Sequence, residues 1–415
     1  MSELSSRFHL HQTHDPESSF FDRQTRMDWW NQDKIQSARL MIVGAGAIGN
    51  ETLKNLALLG YADFFITDFD EISKSNLSRT VLFRKSDQGK RKAAVAAERV
   101  AELALADNPQ VSFFDGDIVW EIGTGVYRRM DMVLGCLDNI ETRLAVNKHC
   151  YLVGTPWIDA GIFELGLRVN LYTPPAAPCY QCSLSPQQWQ AARQRYSCDD
   201  FKKKVVAEGK VPTVQIASAL VSALQVQEVT KFLCGQPHSA GKQLYFQGKN
   251  NDFEVFEMPL NSDCQAHQMR YPDLIETPLS HQDTLRHLLT YLEEKQGEPL
   301  TLDFRGDRTF VAHLACRGCG TKIELYRPTF RIEEEETICA TCRDKEAAEQ
   351  VFLEAQTPTP KETIGQFSLH QTPDFLLDFT LNDLGIPFLH ILALYNQKGE
   401  YIYIELSKDA DKLWK

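Results

Sequence analysis

The run SARLMIVGAGAIGNETLKNLALLG, residues 37–60, constrains the fold more than any other part of the chain. Its apolar start reads as a strand buried on both faces. The strand enters a turn built on Gly44, Gly46 and Gly49, and a helix follows and stops at Gly60. In the spacing G-x-G-x-x-G, the glycines permit a tight turn and bring phosphate close to a helix N-terminus. A second strand, ADFFITD, ends on Asp68, nineteen residues past Gly49. An acid at that place suits a ribose hydroxyl. NAD and ATP both fit this arrangement.

A helical stretch over about residues 86–106 and strands at VSFFDG, DMVLGCLD and TPWIDAG continue the alternation. They predict an α/β fold with a Rossmann-like, doubly wound, mostly parallel sheet. PTVQIASALVSALQVQEVTKFLCG reads as a long apolar helix from Pro212 to Gly235. Composition shifts after about residue 270. RYPDLIETPLSHQDTLRHLLTYLEEKQGEP reads as a helical connector, AQTPTPKE as a linker, and FLHILALYNQKGEYIYIEL as a hairpin about NQKG.

A chain of 415 residues with 43% hydrophobic and 24% charged residues has the balance of a soluble globular protein with two or three domains. No apolar run approaches the ~20 residues of a membrane span, and the N-terminus is polar, so a cytoplasmic location without membrane attachment is expected. Eleven cysteines in a reducing compartment point to metal ligation or catalysis rather than disulfides. A net charge of −12 argues against a nucleic-acid partner. His9, His11 and His14 fall in a tail expected to be flexible.

The choice between nucleotides rests on the next segments. DFDEISKSNLSRT and SDQGKRKAAVAAERV bring Asn76, Arg79, Lys90 and Lys92 after the second strand, and LGCLDNIETRLAVNKHC places Asp138 and Asn139 just past another. Ligands bind at that carboxyl edge. A dehydrogenase has no need of a cation cluster with an acid there. Cleavage of ATP between its α and β phosphates needs both, the cations for the leaving pyrophosphate and the acid for Mg²⁺.

GAGAIG, D-F-D with SNLSR, GKRKA, LDN with a following Arg, and CYQC, in this order, resemble the ubiquitin-activating (E1-like) superfamily in its short ThiF/MoeB/HesA-type form. The resemblance covers about residues 20–270. It implies that Asp68 binds the ribose, that Asn76, Arg79 and Lys92 hold the phosphates and that Asp138 holds Mg²⁺. It also implies a homodimer in which Arg23 reaches the partner subunit's active site.

The cysteines divide by spacing. Cys316-x2-Cys319 and Cys339-x2-Cys342, nineteen residues apart, have the pattern of a zinc ribbon. Cys179-x2-Cys182 needs two further ligands. The family closes this site after the long helix, where Cys264-x2-His267 stands here, implying a second structural zinc held by three thiolates and an imidazole. Cys198 remains, in the cationic stretch RQRYSCDDFKKK, whose charges favour a thiolate. Its position resembles that of the thioester-forming nucleophile. Cys136, Cys150 and Cys234 read as core.

The expected organisation is a tail over 1–19, an ATP-binding adenylation domain over 20–270, a helical connector over 271–300, a zinc ribbon over 301–350 and a small β-rich domain over 360–415. The expected function is ATP- and Mg²⁺-dependent adenylation of the C-terminal glycine of a ubiquitin-like protein, then thioester formation on Cys198 and transfer to a conjugating enzyme recruited by the last domain. Activation of a sulfur-carrier protein is the neighbouring reading. An NAD-dependent oxidoreductase and a non-catalytic scaffold for ubiquitin-like proteins are readings of another class.

Overall fold

The computed structural model describes residues 19–176, 178–185, 187–188, 213–267, 269–304, 308–316, 319–337, 339–343 and 359–414. The tail with His9, His11 and His14, and the segment carrying Cys198, lie outside these residues.

The first lobe is an eight-stranded sheet in the order β3-β2-β1-β4-β5-β6-β7-β8. Its strands are β1 (Arg39–Val43), β2 (Asp63–Thr67), β3 (Gln110–Phe114), β4 (Met132–Gly135), β5 (Trp157–Phe163), β6 (Gly166–Tyr172), β7 (Lys242–Gln247) and β8 (Asp252–Glu257). Strands β1 to β5 run parallel, and β6 to β8 extend the sheet antiparallel. Alternate strand residues enter two separate cores. Leu40, Ile42, Phe64, Ile66 and Leu134 pack with the helices Ala47–Leu59, Lys92–Leu103 and Gln215–Leu233. Met41, Val43, Phe65 and Val133 face the helix Ile140–Val153 and the short helix Thr124–Arg128. The apolar run at residues 40–43 is continuous because both faces are covered.

The second lobe is a five-stranded sheet in the order β14-β10-β15-β16-β9, formed by β9 (Leu274–Thr277), β10 (Leu300–Asp303), β14 (Gln366–Phe367), β15 (Ile391–Asn396) and β16 (Tyr401–Leu406). The helix Leu285–Gln296 places Leu285, Leu288, Leu289 and Leu292 on one buried stripe. Thr284 caps its start and Gly297, at φ 74°, ends it. The stretch 271–300, expected as a helical connector, therefore supplies β9 and the covering helix of this sheet. Between β10 and β14 the chain leaves to form a three-stranded sheet in the order β12-β11-β13, from β11 (Phe310–Ala315), β12 (Lys322–Pro328) and β13 (Thr359–Ile364). The end of AQTPTPKE, expected as linker, is thus part of β13. Pro360 is tolerated because β13 lies at the sheet edge.

The lobes meet along residues 114–129. Gly125 donates its N–H to the Leu389 carbonyl at 2.8 Å, and Leu389 and Leu413 enter the first lobe's second core. Gly123 cannot carry a side chain, since a Cβ would stand 2.2 Å from the Phe388 carbonyl oxygen. Among the described residues, no helix is long and apolar enough to cross a membrane.

Candidate functional site

A pocket of about 800 Å³ opens at the carboxyl edge of β1, β2 and β4, within the size range of small-ligand sites. Gly44, Gly46, Asp68, Asn76, Arg79, Lys92 and Asp138 all line it. Residues 134 positions apart in sequence meet there, since Arg79 Nη1 donates to Thr213 Oγ1 at 2.6 Å.

The turn is built for closeness. Gly44 has φ 96°, and a Cβ on it would lie 2.5 Å from the Cys136 carbonyl oxygen. A Cβ on Gly49 would lie 1.9 Å from the Gly44 carbonyl oxygen, so the first helical turn presses directly on the loop. Gly49 is thus a packing residue beneath the pocket. A Cβ on Gly46, the helix N-cap, would meet no atom within 4 Å. That open approach to a helix N-terminus is what a phosphate requires.

Asp68 accepts the Ala45 N–H and the Asp70 N–H, each at 2.8 Å. Burial raises its carboxyl above the ordinary range, against the lowering effect of Lys92 and the two N–H groups. Lys92, nearly buried, donates to Asp70 Oδ2 at 2.6 Å. Asn76 Oδ1 accepts the Ser73 N–H and hydroxyl, which fixes the loop that carries Arg79.

Asp138 is exposed at the end of β4, held by the turn beneath it. Asn139 caps the helix Ile140–Val153 by accepting the Thr142 N–H at 2.8 Å. Arg143 Nη2 donates to the Leu137 carbonyl at 2.5 Å, and its Nε to the fully buried Asp159 at 2.8 Å. One exposed carboxylate on a fixed turn, lining the same pocket as Gly46, Arg79 and Lys92, is a chemically suitable Mg²⁺ ligand.

The pocket also has walls not singled out in the sequence: residues 116–119 after β3, and Arg168, Thr213 and Tyr245 on the side of β5 to β7. The rule that ligands bind beyond the carboxyl ends of strands marks DGDIV after β3. Nothing local marks Arg168 or Tyr245, which lie on the antiparallel extension.

Both proposed metal sets are assembled. Cys179, Cys182, Cys264 and His267 bring their ligand atoms within 4.8 Å of one another, as do Cys316, Cys319, Cys339 and Cys342. Cys179 Sγ lies 3.8 Å from Cys182 Sγ and 3.7 Å from Cys264 Sγ, and Cys182 Sγ lies 3.5 Å from His267 Nδ1. In the ribbon, Cys316–Cys342 and Cys319–Cys339 separations are 3.6 and 3.5 Å. A tetrahedral zinc with ~2.3 Å Zn–S bonds sets sulfurs about 3.8 Å apart, so both sets fit the ion. Cys136 and Cys150 are buried, the Cys136 thiol pushed up to about 12, and Cys234 packs half-buried on the first core.

Arg23 does not line the pocket. It is exposed on the short helix Asp22–Thr25, beside the far end of the helix Ala47–Leu59, where Gln24 Nε2 donates to the Leu59 carbonyl. Thirteen residues of helix separate that end from Gly46, about 20 Å.

The chain belongs to the ThiF family, whose model matches residues 21–266. It is 37% identical to SUMO-activating enzyme subunit 2 of Dictyostelium discoideum over 151 residues, 36% of this chain and 22% of that protein's length. It is 29% identical to the sulfur carrier protein ThiS adenylyltransferase of Escherichia coli K12 over 236 residues, 56% of this chain and 87% of that protein. Its fold resembles that of E. coli MccB solved with ATP, with a TM-score of 0.50 at 22% identity, over 61% of this chain and 75% of that one.

Proposed function

We propose that this protein activates the C-terminal glycine of a ubiquitin-like protein in the cytoplasm by adenylation, with ATP and Mg²⁺, and forms a thioester on Cys198 for transfer to a conjugating enzyme. The observation that carries the reading is the convergence of Asn76, Arg79, Lys92 and Asp138 on the glycine-turn pocket in a chain of the ThiF family. Asp68 binds the ribose, and Gly46 and the N-terminus of the helix Ala47–Leu59 receive phosphate. Asp138 is the ligand for Mg²⁺, which when bound neutralises phosphate charge. A carboxylate oxygen of the substrate forms a bond to the α-phosphorus as the bond to the β-phosphate oxygen breaks. Lys92 and Arg79 stabilise the pyrophosphate that leaves. The Cys198 thiolate then attacks the acyl carbon, and AMP departs with the electron pair of the broken C–O bond. Arg23 serves the pocket of the other subunit in a homodimer, since about 20 Å of helix separates it from its own. The two zinc ions are structural, because each ligand set is closed at four.

The test is ATP–pyrophosphate exchange with a small glycine-ending protein as substrate, followed by a non-reducing gel of wild type and Cys198→Ala. Exchange with a thiol-sensitive adduct in wild type alone supports the full reading. Exchange without adduct removes Cys198 and favours activation of a sulfur carrier. The near-complete span of the ThiS adenylyltransferase in the comparison, 87% of its length, gives that second reading its support. No exchange with any substrate overturns both.

A further inference from the structure

Residues 116–119 form the pocket wall beyond Asp68. With phosphate at Gly46, in the turn just past β1, and ribose at the end of β2, each strand step being ~4.8 Å, the next strand outward is β3. The wall after β3 is therefore where the base lies, against the buried Ile118. That wall is a rigid turn: Val119 N–H donates to Asp117 Oδ1 at 2.9 Å, and the Trp120 and Glu121 N–H groups donate to the Asp117 carbonyl at 3.2 and 2.8 Å. A displacement of Trp120 is thus passed to residues 117–119.

Trp120 is held from the other lobe. Its ring stacks on Phe330 with centroids 5.3 Å apart and planes 6° from parallel. The buried Arg308 donates from Nη1 to the Trp120 carbonyl at 3.0 Å and also to the Gly385 carbonyl. Phe330 is fixed in turn by the Arg331 guanidinium, 5.4 Å from its ring centroid, which donates to the Asn382 carbonyl at 2.7 Å. Gly385, at φ 82°, lies so close that a Cβ would stand 2.7 Å from Pro328 and 3.0 Å from Phe330. Every member of this clamp belongs to the second lobe or its zinc-ribbon insertion.

We infer that Trp120 is a positioning residue for the nucleotide, and that the second lobe, gripping it through Phe330 and Arg308, sets the affinity of the first lobe's pocket for ATP. The inference rests on the reading of the pocket as an ATP site. It gives the second lobe a part in the adenylation step itself, separate from any recruitment of partners.

The test is the Kd of the full chain for α,β-methylene-ATP by calorimetry, with kcat and KM for ATP in pyrophosphate exchange. Trp120→Ala and Phe330→Ala each weaken binding by roughly three- to tenfold, the value of one aromatic pair, and raise KM in step while kcat at saturating ATP holds. Trp120→Phe and Phe330→Tyr, which keep a stackable ring, restore affinity. Should Trp120→Ala not fold, the half-buried Phe330→Ala decides alone. Unchanged Kd in folded variants overturns the inference. So does a fall in kcat without a change in KM, or failure of both conservative variants to rescue. A wild-type chain that binds no nucleotide overturns instead the ATP reading beneath it.

Discussion

Glu405 has no exposed surface, and across the lobe junction Arg128 Nη1 lies 2.5 Å from its Oε2, while Arg129 donates to Oε1. Glu405 comes from β16 and both arginines from the end of the helix Thr124–Arg128 and the residue after it. Removing one partner of a buried pair leaves an uncompensated charge and costs about 3–5 kcal/mol. Glu405→Ala is expected to lower the free energy of unfolding by about 3 kcal/mol, read from urea titrations at neutral pH. Glu276→Ala, whose partner is the same Arg128 but whose side chain is exposed, is expected to cost under about 1 kcal/mol.

The glycine turn gives a contrast between two neighbouring substitutions. Gly49→Ala pushes a methyl into the Gly44 carbonyl and is expected to lower the melting temperature by several degrees, with about 2 kcal/mol of destabilisation. Gly46→Ala meets no protein atom, so its melting temperature holds while its affinity for ATP falls at least about tenfold. Thermal shift and calorimetry on the two variants separate the roles.

His149 is buried with Nδ1 against Thr124 Oγ1 at 2.9 Å and its ring stacked on Tyr127, and burial, with Lys148 and Arg308, lowers its pKa to about 3. His390, half-buried at the same junction with its Nδ1 enclosed, is shifted in the same direction by desolvation and Arg308. The unfolded chain takes up protons near pH 6.5 that the folded chain refuses. The stability contributed by keeping these two imidazoles neutral is therefore complete above pH 6.5 and is lost as pH falls toward 3, by up to about 1.4 kcal/mol per pH unit per proton. Urea midpoints at pH 7 and pH 5 should differ less in His149→Gln than in wild type, by about 2 kcal/mol in free energy.

Arg23 supplies a test of the dimer. Arg23→Ala and Lys92→Ala chains, each inactive alone, should regain about a quarter of wild-type exchange when mixed and allowed to re-equilibrate. Half of the dimers are mixed, and one of their two sites is intact. No recovery would place Arg23 outside the partner's site.

Elemental analysis should return two zinc ions per chain. Cys182→Ser and Cys316→Ser should each lower that number to about one, since a three-ligand remnant binds far more weakly than a closed site. His267→Ala tests the one imidazole among the eight ligands, and the zinc of its site should leave first under a competing chelator.

How much of this was legible in the sequence follows from how local each signal is. The strand–turn–helix at residues 39–59 announces itself because every requirement, buried strand, glycine spacing and N-terminal approach, falls within one short run. Cysteine pairs are equally local. The placement of 271–300 was not legible: β9 is four residues long, and its partner β16 lies more than a hundred residues on, Leu274 pairing with Tyr403. A short strand whose only support is that distant resembles a connector. Glu405 reads as one more charge in an alternating hairpin until the lobe junction covers it. Arg168 and Tyr245 likewise join the pocket only through the antiparallel register of β5, β6 and β7.

The insertion between β10 and β14 departs and returns side by side, Asp303 pairing with Gln366 and Leu302 with Phe367. To the five-stranded sheet, the whole cysteine-bearing module is one very long hairpin loop. Closing such a loop costs only about 2 kcal/mol more than closing a tight turn, because the entropy grows with the logarithm of length. Such an interruption is a tolerant port, able to accept modules of very different size without disturbing the strands around it. Here, however, Phe310 of the module packs with Phe304 and Phe367 at the base of the port. Exchange of the module would therefore be free at its tip and constrained at its root.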